Sequence, residues 1–299
     1  VSAAFSLAMA AGVMAVAHTH AARLALGPVY LFDLTGQAHL PHPDVRIAGW
    51  SPLHRVDDWD SACDAAAVLG ATIPQGNLSD SSFWVSSAKR LLAPYYFAAA
   101  QGRRPASEIG RWIDAQEEAE VMGILARAGV EEAALAFAAN MRREERTRNS
   151  IYSTAETITS VFTRHSVQRV IDRDDFDVRR DLLESNGTVI VYADPTDAVQ
   201  VQPLIILFLD QIIQARKHLA DQGWPGPHLL LALDEVANIC PLPSLPALLA
   251  EGPGRGIAGF LCFQDIAQVH KRWPVDGQLF LTAAGSRLVI GLFEPRATA

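Results

Sequence analysis

The residues with the clearest chemical promise stand at the end of an apolar run. Leu229-Leu230-Leu231-Ala232-Leu233 leads directly into two adjacent carboxylates, Asp234 and Glu235. A continuous apolar run of this length reads as a strand buried on both faces. Such a strand delivers both acids at its carboxyl end, where α/β sheets bind their ligands. This is the Walker B pattern. Asp234 would hold Mg2+, largely through water, because magnesium keeps much of its hydration. Glu235 would orient and polarise an attacking water. A second reading stays open, in which the two acids only cap the helix that follows.

A second apolar run, Ile257-Ala258-Gly259-Phe260-Leu261-Cys262-Phe263, ends in Gln264. A polar residue at the tip of the strand beside a Walker B strand can sense the γ-phosphate of ATP. Alternatively, Gln264 and Asp265 only open the next helix.

Elements that could position these residues are legible on either side of a helical stretch. Val29 to Phe32 and Val45 to Ala48 read as short strands, and Asp57 to Leu69 as a helix. From Ser79 to about Glu184 the pattern is almost wholly helical. Expected helices are one containing Trp84, Ala88, Leu91, Tyr95 and Ala99 with a kink at Pro94, then Ser107–Asp114, Glu117–Ala128, Glu131–Arg142 and Thr147–Val170. Strand and helix then alternate again: Thr188–Tyr192, the helix Val201–Leu219, Leu229–Leu233, Ile257–Phe263 and a last strand Arg287–Leu292. The expected fold is α/β, with a mainly parallel sheet and an inserted all-α domain. Residues 1–78 and 185–299 would form the two parts of the core, and 79–184 the insertion.

The chain of 299 residues is 49% hydrophobic and 19% charged, an ordinary globular balance with material for a large core. A formal charge of -8 argues against a generic nucleic-acid coat protein, whose affinity comes from neutralising phosphates. It leaves room for a ring with basic residues confined to its pore. Cys63, Cys240 and Cys262 are far apart with no C-x-x-C pairing, which excludes a disulfide framework and a zinc knuckle and fits a reducing cytosol. Val1 to Ala17 is alanine-rich, lacks a basic leader and is short for a membrane span, so a buried helix and strand are expected there.

Taken in order, these motifs resemble the type IV secretion coupling proteins, conjugative DNA-transfer ATPases of the FtsK-like group. The resemblance rests on Leu233-Asp234-Glu235-Val236-Ala237-Asn238-Ile239, Pro241-Leu242-Pro243, Gly252-Pro253-Gly254-Arg255-Gly256-Ile257 and Gln264-Asp265-Ile266-Ala267-Gln268. Gly27 to Asp33, Ser82-Phe83-Trp84 and Gly187 to Tyr192 agree with it, so that it runs from about Gly27 to the C-terminus. It implies a RecA-like P-loop NTPase core and a motor that hydrolyses ATP with Mg2+ in a homo-oligomeric ring, a hexamer, at the cytoplasmic face of the bacterial inner membrane. Its partners would be DNA, a relaxase or other secreted protein, the secretion channel, and the membrane through a segment not in this chain. Asp234 would bind the metal, Glu235 and Gln264 would serve catalysis, and Arg255 would be a finger reaching a neighbouring subunit's nucleotide.

The sequence departs from the family pattern twice. No Lys follows a Gly, so G-x-x-x-x-G-K-[ST] cannot be written anywhere. The resemblance puts that loop upstream, and a truncated N-terminus is the simpler expectation. The alternative is a non-hydrolysing remnant that binds a substrate or partner through its helical part. Pro253 stands where the family often has a first arginine, and Arg255 could instead only anchor its loop. Lesser features carry less. His18-Thr19-His20 lacks a third metal ligand. Arg142-Arg143-Glu144-Glu145-Arg146 reads as a solvated helix face. Trp84, Tyr95 and Tyr96 could stack on bases, but their helical spacing favours core packing.

Overall fold

The computed structural model describes residues 3–9, 22–38, 43–72, 79–193 and 197–289. Six strands form one sheet: β1 (Ala3–Met9), β2 (Val29–Asp33), β3 (Arg46–Ile47), β4 (Thr188–Ala193), β5 (Leu229–Leu233) and β6 (Ile257–Leu261). Their order is β3-β2-β4-β1-β5-β6 and every pairing is parallel. All carboxyl ends therefore point to one edge. β4 is buried along its whole length, as its unbroken apolar run requires. The expected two-sided burial fails at β6, where Ala258, Gly259 and Phe260 are exposed. β6 ends the sheet, and no described element covers its outer face.

The Ala3–Met9 strand sits between β4 and β5, which accounts for part of the apolar N-terminal run. The rest of that run, and His18-Thr19-His20, lie outside the described residues. The helix Ala198–Asp221 is long and apolar enough to cross a membrane by length and composition. Here it is the central core helix, with Leu204 to Leu209 buried.

Local chemistry explains where the helices begin. Asp58 opens the Trp59–Gly70 helix with a reciprocal capping box: its carboxylate accepts from the Ser61 amide at 2.8 Å, and its own amide donates to the Ser61 hydroxyl at 3.1 Å. The long Ser79–Gln101 helix passes through Pro94 without ending. Proline cannot donate to the Arg90 carbonyl, and the buried Asn140 side chain supplies a donor there, at 3.4 Å. Helices Ser107–Asp114, Ala119–Ala128 and Glu131–Met141 follow, the second closed by Gly129 at φ 72°.

The single helix expected over Thr147–Val170 is broken. Glu145–Thr159 tightens into a 3-10 turn, Ser160–Thr163, and the chain extends at Arg164 before His165–Ile171. The break buries Val161 and Phe162 and sets Phe162 and Thr163 against Gly110 of a neighbouring helix, where a side chain would crowd both. The Arg142–Arg146 run is only in part a helix face: Arg142 to Glu144 form the turn between two helices, Glu145 and Arg146 are exposed in the first turn of the second, and Glu144 caps that helix by accepting from the Thr147 amide. A π-helix, Val178–Glu184, leads back to β4. Arg287 to Val289 is irregular, so the expected last strand is absent there; its other residues lie outside the described ones.

Helices and sheet share one hydrophobic core. Phe208 of the core helix joins them, with ring centroids 4.9 Å from Phe32 on β2 and 4.5 Å from Trp50. Tyr95 and Tyr96 are fully buried and Trp84 packs partly against the same core, so the tyrosines are unavailable for base stacking.

Candidate functional site

β5 and β6 keep their pairing beyond their last strand residues, and this brings the candidate residues together. Cys262 donates its amide to the Leu233 carbonyl at 2.9 Å, and the Val236 amide donates to the Cys262 carbonyl at 3.2 Å. Asp234 and Glu235 project from the β5 side of this extension and Gln264 from the β6 side. The Gln264 amide nitrogen donates to Glu235 Oε1 at 2.6 Å. Glu235 stands at the cap position of the short Val236–Ile239 helix, yet its side chain makes no capping hydrogen bond. Asp265 opens the next helix by accepting from the Ala267 amide, and Gln264 takes no part in that cap.

The backbone at Glu235 is left-handed, with φ 48° and ψ 41°. An L-residue pays about 1–2 kcal/mol for that conformation. The turn aims the carboxylate across the strand end toward β6. Asp234 stays half-buried beside Cys262; burial and then the negative charge of Asp234 push that thiol upward.

Arg255 is not brought to this cluster. It ends the turn Gly252–Arg255 at the amino end of β6, the opposite edge of the sheet from Gln264. Its Nε lies 3.3 Å from Asp221 Oδ1, and its side chain is 38% exposed. Within the chain it does not meet Asp234 or Glu235, and its carboxylate partner is Asp221, the contact that an anchor of its own loop would make.

Two adjacent carboxylates and an amide suit a hydrated magnesium ion that takes its remaining ligands from water and phosphate. No group of three His, Cys, Asp or Glu residues among those described could enclose a metal. Two carboxylates with open positions for water and phosphate are a donor set that suits Mg2+ delivered with a nucleotide. A Lys-bearing glycine loop for the phosphates is not written in this sequence.

Sequence reading missed the groups that brace this edge. Asp33, at the end of β2, spends its carboxylate on its own loop, accepting from the amides of Gly36 at 2.7 Å and Ala38 at 2.9 Å. Gln202 of the core helix donates to the Asn238 carbonyl at 2.6 Å and so ties that helix to the turn after Glu235. Arg164 reaches from the helical segment to Asp197 at 3.0 Å. An Asp-x-x-Gly after a strand could have flagged the first; the others are long-range contacts without a local signal.

The family model for type IV secretory system conjugative DNA transfer matches residues 55–298. A conjugal transfer protein TraG of Escherichia coli is 30% identical over 140 residues, 44% of this chain and 22% of that protein; a second TraG is 29% identical over the same length. These matches span about a fifth of the curated relatives' length. Among solved structures, the bacterial conjugative coupling protein TrwB in its unbound form aligns with TM-score 0.62 at 18% identity, covering 94% of this chain and 66% of that one. TrwB with the non-hydrolysable analogue GDPNP aligns at 0.65 and 18%, and TrwB with ADP and Mg2+ at 0.63 and 19%, each covering 94% and 68%. At such identities the likeness shows the fold, a RecA-like α/β core carrying an all-α insertion.

Proposed function

The chain belongs to the type IV secretory system conjugative DNA transfer family, and from that premise we propose that it forms part of a motor ATPase driving DNA, or DNA with bound protein, toward a secretion channel. The observation that carries the reading is the meeting of Glu235 with Gln264 beside Asp234 at the carboxyl edge of a parallel sheet. Mg2+ and ATP, when bound, supply an electrophilic phosphorus and offset its charge. Asp234 would hold the metal. Glu235 polarises the attacking water and takes up its proton. Gln264 holds the Glu235 carboxylate in register and offers an amide to the γ-phosphate. The solved TrwB complexes with an ATP analogue and with ADP and Mg2+ support this choice of ligand.

The reading requires a phosphate loop from sequence outside these residues. It makes the active unit a hexameric ring with sites between subunits, where Arg255 of one subunit serves the nucleotide of the next. Residues 79–184 act as an all-α domain that recognises the relaxase or other secreted protein, inserted between core parts 1–78 and 185–299. The ring works at the cytoplasmic face of the bacterial inner membrane, attached through a segment outside this sequence. A non-hydrolysing module that binds substrate through the same helices is the second reading. An in-frame G-x-x-x-x-G-K-[ST] in the DNA upstream of the Val1 codon decides for the motor.

The direct test compares two variants of the full-length protein. Glu235→Gln keeps ATP affinity and loses about 10²–10⁴-fold in turnover, the usual contribution of a general base. Asp234→Asn weakens Mg2+-dependent nucleotide binding itself, because the metal loses its anionic anchor. Parental turnover in Glu235→Gln overturns the proposed role.

A further inference from the structure

The turn that carries Arg255 is clamped along its length by the last turns of the core helix Ala198–Asp221. Lys217 Nζ lies 3.9 Å from Glu251 Oε2, just before the turn, and Asp221 Oδ1 lies 3.3 Å from Arg255 Nε. Arg216 makes the third and deepest contact. It is 4% exposed, and its guanidinium lies 5.5 Å from the centre of the Trp224 ring. A Cβ placed on Gly256 would fall 2.2 Å from Arg216 Nη2, so the bare glycine backbone rests directly on the cation. Gly256 has φ 71°, which glycine adopts without strain, and its carbonyl accepts from the Leu229 amide at 2.9 Å. The brace thus fixes the turn to the first residue of β5.

This arrangement is costly. Arg216 Nε and Nη1 are buried without a hydrogen-bond partner among the described residues, and no described carboxylate pairs with the group. A guanidinium stays charged under such conditions, so its desolvation is not relieved by losing a proton. An aliphatic side chain would fill the space at lower cost. A planar cation held between an indole and a glycine backbone differs from an aliphatic filler in rigidity and orientation.

We infer that Arg216 is a positioning residue for Arg255: wedged between Trp224 and Gly256, it sets the direction in which the Gly252–Arg255 turn presents Arg255 to a neighbouring subunit. The inference rests on the reading of Arg255 as a finger acting in trans. Arg216 itself touches no nucleotide and acts only through the turn.

The test is a double-mutant cycle on ATP turnover in the full-length protein, with Arg216→Met, Arg255→Ala and the two combined. Arg216→Met lowers kcat about ten- to a hundredfold, as expected for a displaced catalytic group. It leaves KM for ATP unchanged and adds nothing to the loss in Arg255→Ala. Arg216→Lys, which keeps the charge without the planar fork, recovers only part of the rate. If Arg216→Met does not fold, Arg216→Lys and Asp221→Asn at the exposed anchor enter the same cycle in its place. Parental turnover in the folded Arg216 variants beside a crippled Arg255→Ala overturns the inference and spares the finger. So does a loss that multiplies with that of Arg255→Ala. Parental turnover in Arg255→Ala removes the finger reading and the inference together.

Discussion

Gln264 Nε2 and Glu235 Oε1, 29 positions apart in sequence, lie 2.6 Å apart at the open end of the β5–β6 pair. The contact exists because parallel pairing sets Leu233 opposite Leu261 and continues through the Cys262 amide. Parallel register therefore converts two strand-end motifs into one side-chain cluster. Replacing the amide by an acid tests this geometry without any nucleotide.

In Gln264→Glu, two carboxylates share the space now held by one hydrogen bond. Like charges at about 4 Å repel by roughly 1 kcal/mol even in water. Repulsion raises the folded-state pKa of the pair, so stability is lost as pH rises through that value and regained as it falls. Urea unfolding of the isolated chain at pH 5 and pH 8 is the measurement. The deficit against the parent is expected at pH 8 and is smaller at pH 5. An equal deficit at both means the two side chains do not meet.

Acid acts oppositely at the exit of the helical segment. Burial works against ionising Asp177 and Asp181. Even so, the Arg180 amide and His54 hold Asp177 below its ordinary 3.8, and the Arg180 guanidinium does the same for Asp181. Both are ionised in the folded chain where the unfolded chain still binds protons, so stability falls as pH drops below about 4. Asp177 also opens the π-helix by accepting from the Arg180 amide at 2.6 Å. Asp177→Ala should cost about 0.5–2 kcal/mol at pH 7, the usual value of an N-cap. It should also show a shallower loss between pH 5 and pH 2 in chemical unfolding. A slope as steep as the parent's places the acid sensitivity elsewhere.

Much of the candidate site could be read from sequence because its signals are local. Leu229–Leu233 and Ser107–Asp114 have the boundaries their patterns predict, and the acids follow β5 as an apolar strand requires. What could not be read depends on distant partners. Nothing near Arg164 announces that the helix must break so that Phe162 can pack beside Gly110. Nothing in Ile257–Phe263 says that this apolar run becomes the exposed end of the sheet, because strand order is decided by the whole chain. Nothing in the sequence around Arg216 announces that the bare backbone of Gly256 packs against it.

Tyr95 separates packing from nucleic-acid contact. Its hydroxyl lies 2.8 Å from that of Tyr152 and donates to the Glu117 carbonyl at 3.1 Å, all within the core. Tyr95→Phe leaves these groups short of a partner and should cost about 1–3 kcal/mol. Affinity for single-stranded DNA, measured by fluorescence anisotropy at fixed salt, should not change in the folded variant. A drop in affinity without a drop in stability would restore the stacking role.

The isolated chain should not saturate with a fluorescent ATP analogue at low micromolar concentration in the presence of Mg2+. Backbone amides and a lysine around the phosphates supply most of the positioning in phosphoryl transfer, and no such loop is written in these 299 residues. Asp234 and Glu235 alone repel a polyphosphate until a metal intervenes. Tight binding would mean that other residues cradle the phosphates.

The sharpest test of the site's geometry compares two ways of deleting Glu235. In Glu235→Ala and Glu235→Gly the carboxylate and its bond to Gln264 are lost equally, and the two differ only in a Cβ. In an ordinary helix alanine is the more stable of the two, because glycine loses about 0.5–1 kcal/mol more chain entropy on folding. At φ 48° a Cβ crowds the backbone instead, at about 1–2 kcal/mol. The balance reverses, and Glu235→Gly should be the more stable variant by roughly 0.5–1 kcal/mol. Urea midpoints at constant m-value measure this difference directly. Glycine should also come close to the stability of the parent, which carries both the strain and the Gln264 bond. Alanine equal to or above glycine would mean that the backbone at 235 is not left-handed, and that the carboxylate is not turned toward β6 as the site requires.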